Sequence, residues 1–303
     1  MIKSFTITNY LGESIKLDMR EPEKSGFLIK EVTGIEPPKA NINTSELSTN
    51  DGSRYNSSRL DERNIVFEFI FVDTPGKETI EDVRLKSYKF FPIKRKVTIL
   101  IETDKRTVTA TGYVESNEPT IFSEQEGTQI SILCPDPYLY TSDQTTSLYS
   151  VDPAFEFAFG NESLTEPLLN MGNIRDITTA SVLYTGDSEV GMEIRIHALS
   201  SIKNITVRNV RTRDVISLDG SKIEAITGSD IRALDDVIIN TTRDNKGVTL
   251  VRDGVSYNIL NCVGRNASWF RLVKGENVFL FSTEDGNMNF NVDIVNKVVY
   301  EGV

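Results

Sequence analysis

Apolar and polar residues alternate along most of this chain, and the spacing is that of strands far more often than of helices. Ile2, Phe5 and Ile7, then Ile15, Leu17 and Met19, flank the turn Tyr10-Leu11-Gly12-Glu13, which predicts an N-terminal hairpin. Phe27 to Val32 is a further strand, halted by Gly34 and Pro37-Pro38. Ile65 to Val72 (IVFEFIFV) is the most β-prone run of all. Val97 to Ile101 and Thr107 to Val114 predict a hairpin about Asp104-Lys105. From Gly112 to Tyr140 the chain reads as two strands, a polar connection and a rigid corner. Ile130, Ile132 and Cys134 alternate with Gln129, Ser131 and Leu133, and Pro135 and Pro137 then end the run, because neither donates to a sheet.

One stretch breaks this rhythm towards a helix, from about Gly76 to Phe91. Thr74-Pro75 offers a cap and a preset first turn, and Ile80, Val83, Ser87, Phe90 and Phe91 share one side at 100° per residue. Leu85 falls off that side, and Pro92 stops the run.

Beyond Tyr140 the pattern changes to short strands punctuated by turns. Phe155, Phe157 and Phe159 alternate, as do Val190, Met192, Ile194 and Ile196, and Ile205 to Val210 follows. Ile223 to Ile226 and Asp236 to Thr241 read as further β-segments after the turn Asp219-Gly220. Val248 to Arg252 and Val255 to Leu260 make a hairpin about Asp253-Gly254, and Val278 to Phe281 and Met288 to Tyr300 close the chain. The expected fold class is therefore mainly β, with an N-terminal domain over 1–140 and an all-β sandwich over 141–303.

Asn41 to Arg63 belongs to neither pattern. It is rich in Asn, Ser, Thr and charge, with Asp51-Gly52 as a tight-turn signal. A segment this long and polar is either a surface loop or an arm ordered by a partner. In the second case Arg54 and Tyr55 are the expected anchors, since aromatics and arginine dominate interface energetics.

Composition narrows the function. The 303 residues carry a formal charge of −11, with 18 basic and 22 acidic side chains in 1–140 and 15 and 22 in 141–303. Both halves are acidic, which disfavours tight binding to nucleic acid. No apolar run approaches the length of a membrane span, and the start MIKSFTITNY lacks the apolar core of a signal peptide, so the expectation is synthesis inside a cell and no membrane insertion. Cys134 and Cys262 read as buried thiols rather than a bridge or a zinc site.

Catalytic equipment is sparse. His197 is the single histidine and alternates within a strand, so any Ser-His-Asp or Cys-His device has to share it. Asp235-Asp236, Glu284-Asp285 and Asp61-Glu62 are available to a chemistry that needs two carboxylates, but two of the pairs lie in turn-like contexts, adjacency in sequence does not place acids across a cleft, and they read as solvated turn acids. No phosphate-binding glycine loop occurs. Trp269 with Tyr257 offers a stacking surface for a sugar ring, against the competing reading of a core tryptophan beside Phe270 and Leu272. The residues alone lead to a binding or assembly module with no expected cofactor or metal.

Several stretches, in order, resemble the distal tail proteins (Dit) of long-tailed phages of Gram-positive bacteria. They are GFLIKEVTGIEPPKANI, then DGSRYNSSRLDERNIVFEFIF with Asp51, Gly52 and Arg63, YKFFPIKRKVTI, GYVESNEP and ILCPDPYLY. In the second half GDSEVGMEIRI, DDVIINTTRDNKGVTLVRDGVSYNIL, SWFRLVKGENVFLF and VVYEGV continue the likeness. The resemblance implies a tail-tube-like, ring-forming N-terminal sandwich with one helix and an extended hairpin, followed by a galectin-like sandwich. It implies a homo-hexamer at the virion tail tip, between the tail tube protein and a hub protein or tail-associated lysin, supporting receptor-binding proteins. Genomic DNA would pass through an acidic ring without specific binding. A carbohydrate-binding tail component and a tail glycosidase or peptidase subunit are the alternatives.

Overall fold

Strands dominate the computed structural model, which describes residues 1–46, 51–73, 78–149, 151–153, 172–174 and 178–303. The chain divides into two compact units, 1–142 together with 299–303, and 143–298.

In the first unit the strands are β1 (Ile2–Thr8), β2 (Ser14–Asp18), β3 (Phe27–Thr33), β4 (Ala40–Glu46), β5 (Ser53–Leu60), β6 (Arg63–Phe71), β7 (Lys96–Thr103), β8 (Thr107–Thr120), β9 (Gly127–Cys134) and β10 (Leu139–Tyr140). The main antiparallel sheet runs β2-β1-β7-β8-β9-β6-β3; β10 pairs with β8 off this path, and the last strand of the chain, Val299–Tyr300, pairs with β10. Alternation decides which face is buried. Ile65, Phe67, Phe69 and Phe71 of β6 point inward, and so do Ile130, Ile132 and Cys134 of β9. Aromatic edges fill the centre: Phe5 meets Phe67 with ring centroids 5.2 Å apart, and Phe27 meets Phe69 at 5.4 Å.

Helix α1 (Ile80–Phe90) packs on this core through Val83, Ser87 and Phe90, followed by buried Phe91, while Leu85 stays exposed as its position off the apolar side predicts. Its start differs from the sequence expectation. Thr79, not Thr74, is the cap, in a reciprocal box with Asp82, whose carboxylate is held below its ordinary range by the Thr79 backbone N–H and hydroxyl. Thr74 to Lys77 lie outside the described residues. The helix comes so close to the turn before β3 that a side chain at Gly26, where φ is +84°, would meet Val83 at 2.6 Å.

The second unit contains β11 (Gln144–Leu148), β12 (Val151–Pro153), β13 (Gly172–Ile174), β14 (Thr179–Tyr184), β15 (Met192–Ala198), β16 (Thr206–Asn209), β17 (Val215–Ser217), α2 (Gly220–Thr227), β18 (Asp236–Asn240), β19 (Gly247–Arg252), β20 (Val255–Asn258), β21 (Gly275–Ser282) and β22 (Phe290–Asn296). Two antiparallel sheets, β11-β22-β15-β18-β19-β20 and β14-β21-β16-β17, carry buried alternating faces, and Phe281 of one meets Phe290 of the other at 6.0 Å. This is a two-sheet sandwich, and the mainly-β class holds for the whole chain. β12 and β13 form a separate short ladder; the predicted strand at Phe155–Phe159 lies outside the described residues.

Two details depart from the sequence reading. Ile223 to Ile226 is helical, not extended. Asp219 caps α2 by accepting from Ser221 N–H, Gly228 closes it at φ +82°, and of the apolar side chains only Ile223 is buried. The two-residue strand at the C-terminus, here β23 (Val299–Tyr300), pairs with β10, so the last five residues complete the first unit rather than the second.

Both cysteines are buried free thiols. Burial pushes the Cys134 thiol up from 9.0 to about 11, outweighing the nearby Arg63 guanidinium, and burial also raises Cys262. Folded protein at pH 8 is therefore expected to leave both thiols unmodified by a disulfide reagent over minutes, while unfolding in denaturant releases two. Because the folded pKa of Cys134 is the higher one, its contribution to stability is full below about pH 9 and lost as the pH rises towards about 11. A denaturant midpoint that does not fall over that window would contradict this assignment.

Candidate functional site

The segment set apart by composition forms a hairpin. β4 and β5 pair with each other, from Ala40 opposite Leu60 to Glu46 opposite Ser53, and with no other strand among those described. Every residue of the ladder is exposed except Leu60, which is half-buried. An isolated two-stranded ribbon is marginal in water, so this arm lacks the burial that stabilises the strands beneath it.

Register sorts its side chains onto two faces. Directly opposed residues share a face, which places Ile42, Thr44, Tyr55 and Ser58 on one side. Asn41, Asn43, Ser45, Arg54 and Arg59 occupy the other. An extra residue in β5 shifts the register between Asn43 and Thr44, and the Ser45 hydroxyl donates to Asn56 Oδ1 across the ladder at 3.3 Å. Tyr55 and Ser58 hydroxyls are 2.8 Å apart. Arg54 and Tyr55, the two expected anchors, thus face opposite ways. Asp51 and Gly52 are exposed just before β5, with Gly52 at φ +90°; residues 47–50 lie outside the described set.

Arg63, taken from sequence as the end of this segment, is instead the first residue of β6 and is 2% exposed. Its guanidinium donates to four backbone carbonyls: Pro137 at 2.7 Å, Gly34 at 2.6 Å, Glu36 at 2.8 Å and Glu301 at 2.6 Å. Burial lowers its pKa below the ordinary arginine value, yet arginine remains charged at any physiological pH. Gly34 and Glu36 lie on the stem entering the arm and Arg63 on the stem leaving it, so one buried cation ties the two stems together. Gly34, at φ +82°, allows this approach, because a side chain there would sit 1.8 Å from the Asn64 carbonyl. The C-terminal tail braces the same stem. Val303 N–H donates to the Ile35 carbonyl at 3.2 Å, and the Arg106 guanidinium lies over the Tyr300 ring at 4.1 Å.

Other candidates from the sequence lie in the second unit. Trp269 is half-buried with the Lys246 ammonium 5.9 Å over its ring, while Phe270 beside it is fully buried. Tyr257 is half-buried on β20, opposite Leu250. His197 Nδ1 lies 2.6 Å from Asp236 Oδ1 across β15 and β18, and no hydroxyl or thiol of the described residues hydrogen-bonds the imidazole. Asp235 is not the solvated turn acid that sequence suggested. It is buried against Arg252, which also donates to Thr227, Ser229 and Asp230, and its carboxylate raises the arginine's pKa further. An open cleft of about 420 Å³ on the outer side of β3, β6, β9 and β8 is lined by Lys30, Glu68, Ile70, Pro119, Gln125 and Gln129, without a nucleophile and base in contact. Among the described residues no three His, Cys, Asp or Glu side chains gather as metal ligands, and no helix is long and apolar enough to cross a membrane.

No family model and no curated protein matches this sequence. Among solved structures, the chain superposes on the Dit protein of phage SPP1 with a TM-score of 0.64 at 13% identity, covering 97% of this chain and 99% of that one. The fold is that of a phage distal tail protein. That protein is described as a paradigm of the hub adsorption apparatus in phages infecting Gram-positive bacteria. Baseplate structures of phage P2 in its activated conformation also align, with calcium at a TM-score of 0.49 and 13% identity, and with strontium at 0.47 and 12%. The Dit resemblance read from scattered motifs is thus met by a likeness of fold along the full length. Arg63, which followed the Asp-Gly loop in those motifs, has a physical role as the clamp at the base of the arm.

Arg63→Lys keeps the charge but cannot reach all four carbonyls. It should destabilise the protein by about 3 kcal/mol in urea unfolding and speed trypsin cleavage after Arg54 and Arg59. Unchanged stability and unchanged arm cleavage would remove the clamp's importance. In the second unit, Asp235→Asn leaves Arg252 buried without its counter-charge and should cost about 3 kcal/mol, whereas Asp236→Asn on the exposed side should cost less than about 0.5 kcal/mol.

Proposed function

We propose that this chain is a distal tail protein of a long-tailed phage, a structural connector without catalytic activity. Six copies form a ring at the distal end of the tail tube, joined on to a hub protein or tail-associated lysin and supporting receptor-binding proteins. The observation that carries this reading is the likeness to SPP1 Dit over 97% of one chain and 99% of the other, so that the order of both units is shared and not merely one common domain. The first unit supports the ring-forming role through its arm, which has exposed polar and apolar faces and little burial of its own. The second unit, galectin-like in the family, is the sandwich expected beside it.

The reading is tested on the purified full-length chain. Particles of six times the 34.0 kDa chain mass are expected by mass photometry, with rings in negative-stain images. Arg54→Ala together with Tyr55→Ala should change folding stability by less than about 0.5 kcal/mol, because both side chains are exposed, yet reduce ring content or docking into tails. Monomers that bind wall glycans would favour a carbohydrate-binding component instead, and hydrolysis of purified cell wall would favour an enzyme.

A further inference from the structure

Phe122 is the most exposed large apolar side chain described, at 103% of its reference area, at the tip between β8 and β9. Ile121 beside it is 41% exposed, Glu124 is exposed on the same tip, and Glu118 is exposed two residues before the end of β8. The result is an apolar knob with an acidic rim.

A patch of the opposite character lies elsewhere on the first unit. The β1–β2 turn, the last turn of α1 and the 92–95 loop meet there: Asn9 Nδ2 donates to the Lys89 carbonyl at 3.2 Å, and the Arg95 guanidinium lies 5.2 Å over the Tyr10 ring. Tyr10, Leu11 and Ile93 are 51%, 65% and 54% exposed. Lys94, Arg95 and Lys96 follow Ile93 in the chain, all exposed, while Glu13 is engaged by Lys89 at 2.8 Å. Three consecutive cations, one of them over an exposed aromatic ring, stand out in a chain of net charge −11.

We infer that the Phe122 knob of one copy seats in the Tyr10–Leu11–Ile93 patch of a second copy, with Glu118 and Glu124 facing Arg95 and Lys96. The inference rests on the proposed ring and names one contact that builds it. Apolar surface is present on both sides and the rims are of opposite sign, the combination that gives both affinity and orientation. A phosphate backbone would satisfy the cations but leave Leu11 and Ile93 uncovered. Knob and patch sit towards different ends of α1: Glu126 of the tip pairs with Arg84 in its first half at 3.6 Å, and Glu13 with Lys89 in its last turn. One copy therefore presents both surfaces at once, and the contact is head-to-tail, the kind that closes into rings.

The test uses full-length protein. Phe122→Asp, and separately Arg95→Glu with Lys96→Glu, should each weaken self-association at least tenfold, about the loss of one interface anchor, with melting unchanged. Each variant keeps one intact half of the contact, so mixing the two should give dimers but no larger particles. Adding Glu118→Lys and Glu124→Lys to the Arg95→Glu, Lys96→Glu chain should restore assembly. Wild-type rings that the variants form equally well would overturn this contact alone and leave the ring standing. A wild-type chain that never self-associates would overturn both, and a patch that binds duplex DNA without affecting assembly would also sink the inference.

Discussion

Four backbone carbonyl oxygens from three stretches far apart in sequence converge on the Arg63 guanidinium at 2.6 to 2.8 Å. Arginine suits such a place because its donors are fixed in a planar fork, whereas a lysine ammonium offers a single point charge on a flexible stem. The carbonyls cannot be left unmet: a buried acceptor without a donor costs about 1–3 kcal/mol. The stem entering the arm, the proline corner after β9 and the returning C-terminal tail therefore hold their positions together or not at all. The main sheet supplies the bulk of the hydrophobic stabilisation, but this cation decides where the arm leaves the body and where the chain ends.

The second unit uses a different device for a similar purpose. Arg252 and Asp235 are 5% and 1% exposed, and the guanidinium also gathers the end of α2 and the backbone and hydroxyl just after it. A buried pair of this kind is retained more for where it holds its neighbours than for net stability, since desolvation offsets much of the Coulombic attraction. In both units the charged groups placed inside fix loops, and the charged groups placed outside decorate surfaces.

A protein that joins others needs a stiff body with surfaces that gain by meeting another molecule. The arm and the knob after β8 both fit that description. Each extends from a strand pair rooted in the core, and each displays side chains whose burial is not completed within the unit. A large exposed phenylalanine and a cationic aromatic patch are costly features for a chain that stays alone, because they invite unspecific association. In an assembly the same features acquire partners.

Much of this was legible in the sequence because a period of two reports directly on which face of a strand is buried. The hairpins of the first unit, the proline corner, the apolar side of α1 and the β19–β20 hairpin all follow from alternation and turn residues, and the ordered motifs already resembled Dit. Local pattern misled where two geometries share the same residues. Ile223 and Ala225 alternate like a strand, yet the Asp219 and Gly228 caps make that segment helical. Tertiary structure alone decided the rest, because burial of a charge depends on groups brought from elsewhere in the chain. Arg63 looked like the end of a polar loop and Asp235 like a solvated turn. Nothing nearby in sequence foretells that Pro137 and Glu301 would meet the first, or Arg252 the second. Likewise β23 could join β10 only once the whole second unit had been traversed, since strand pairing follows available edges in space and not distance along the chain.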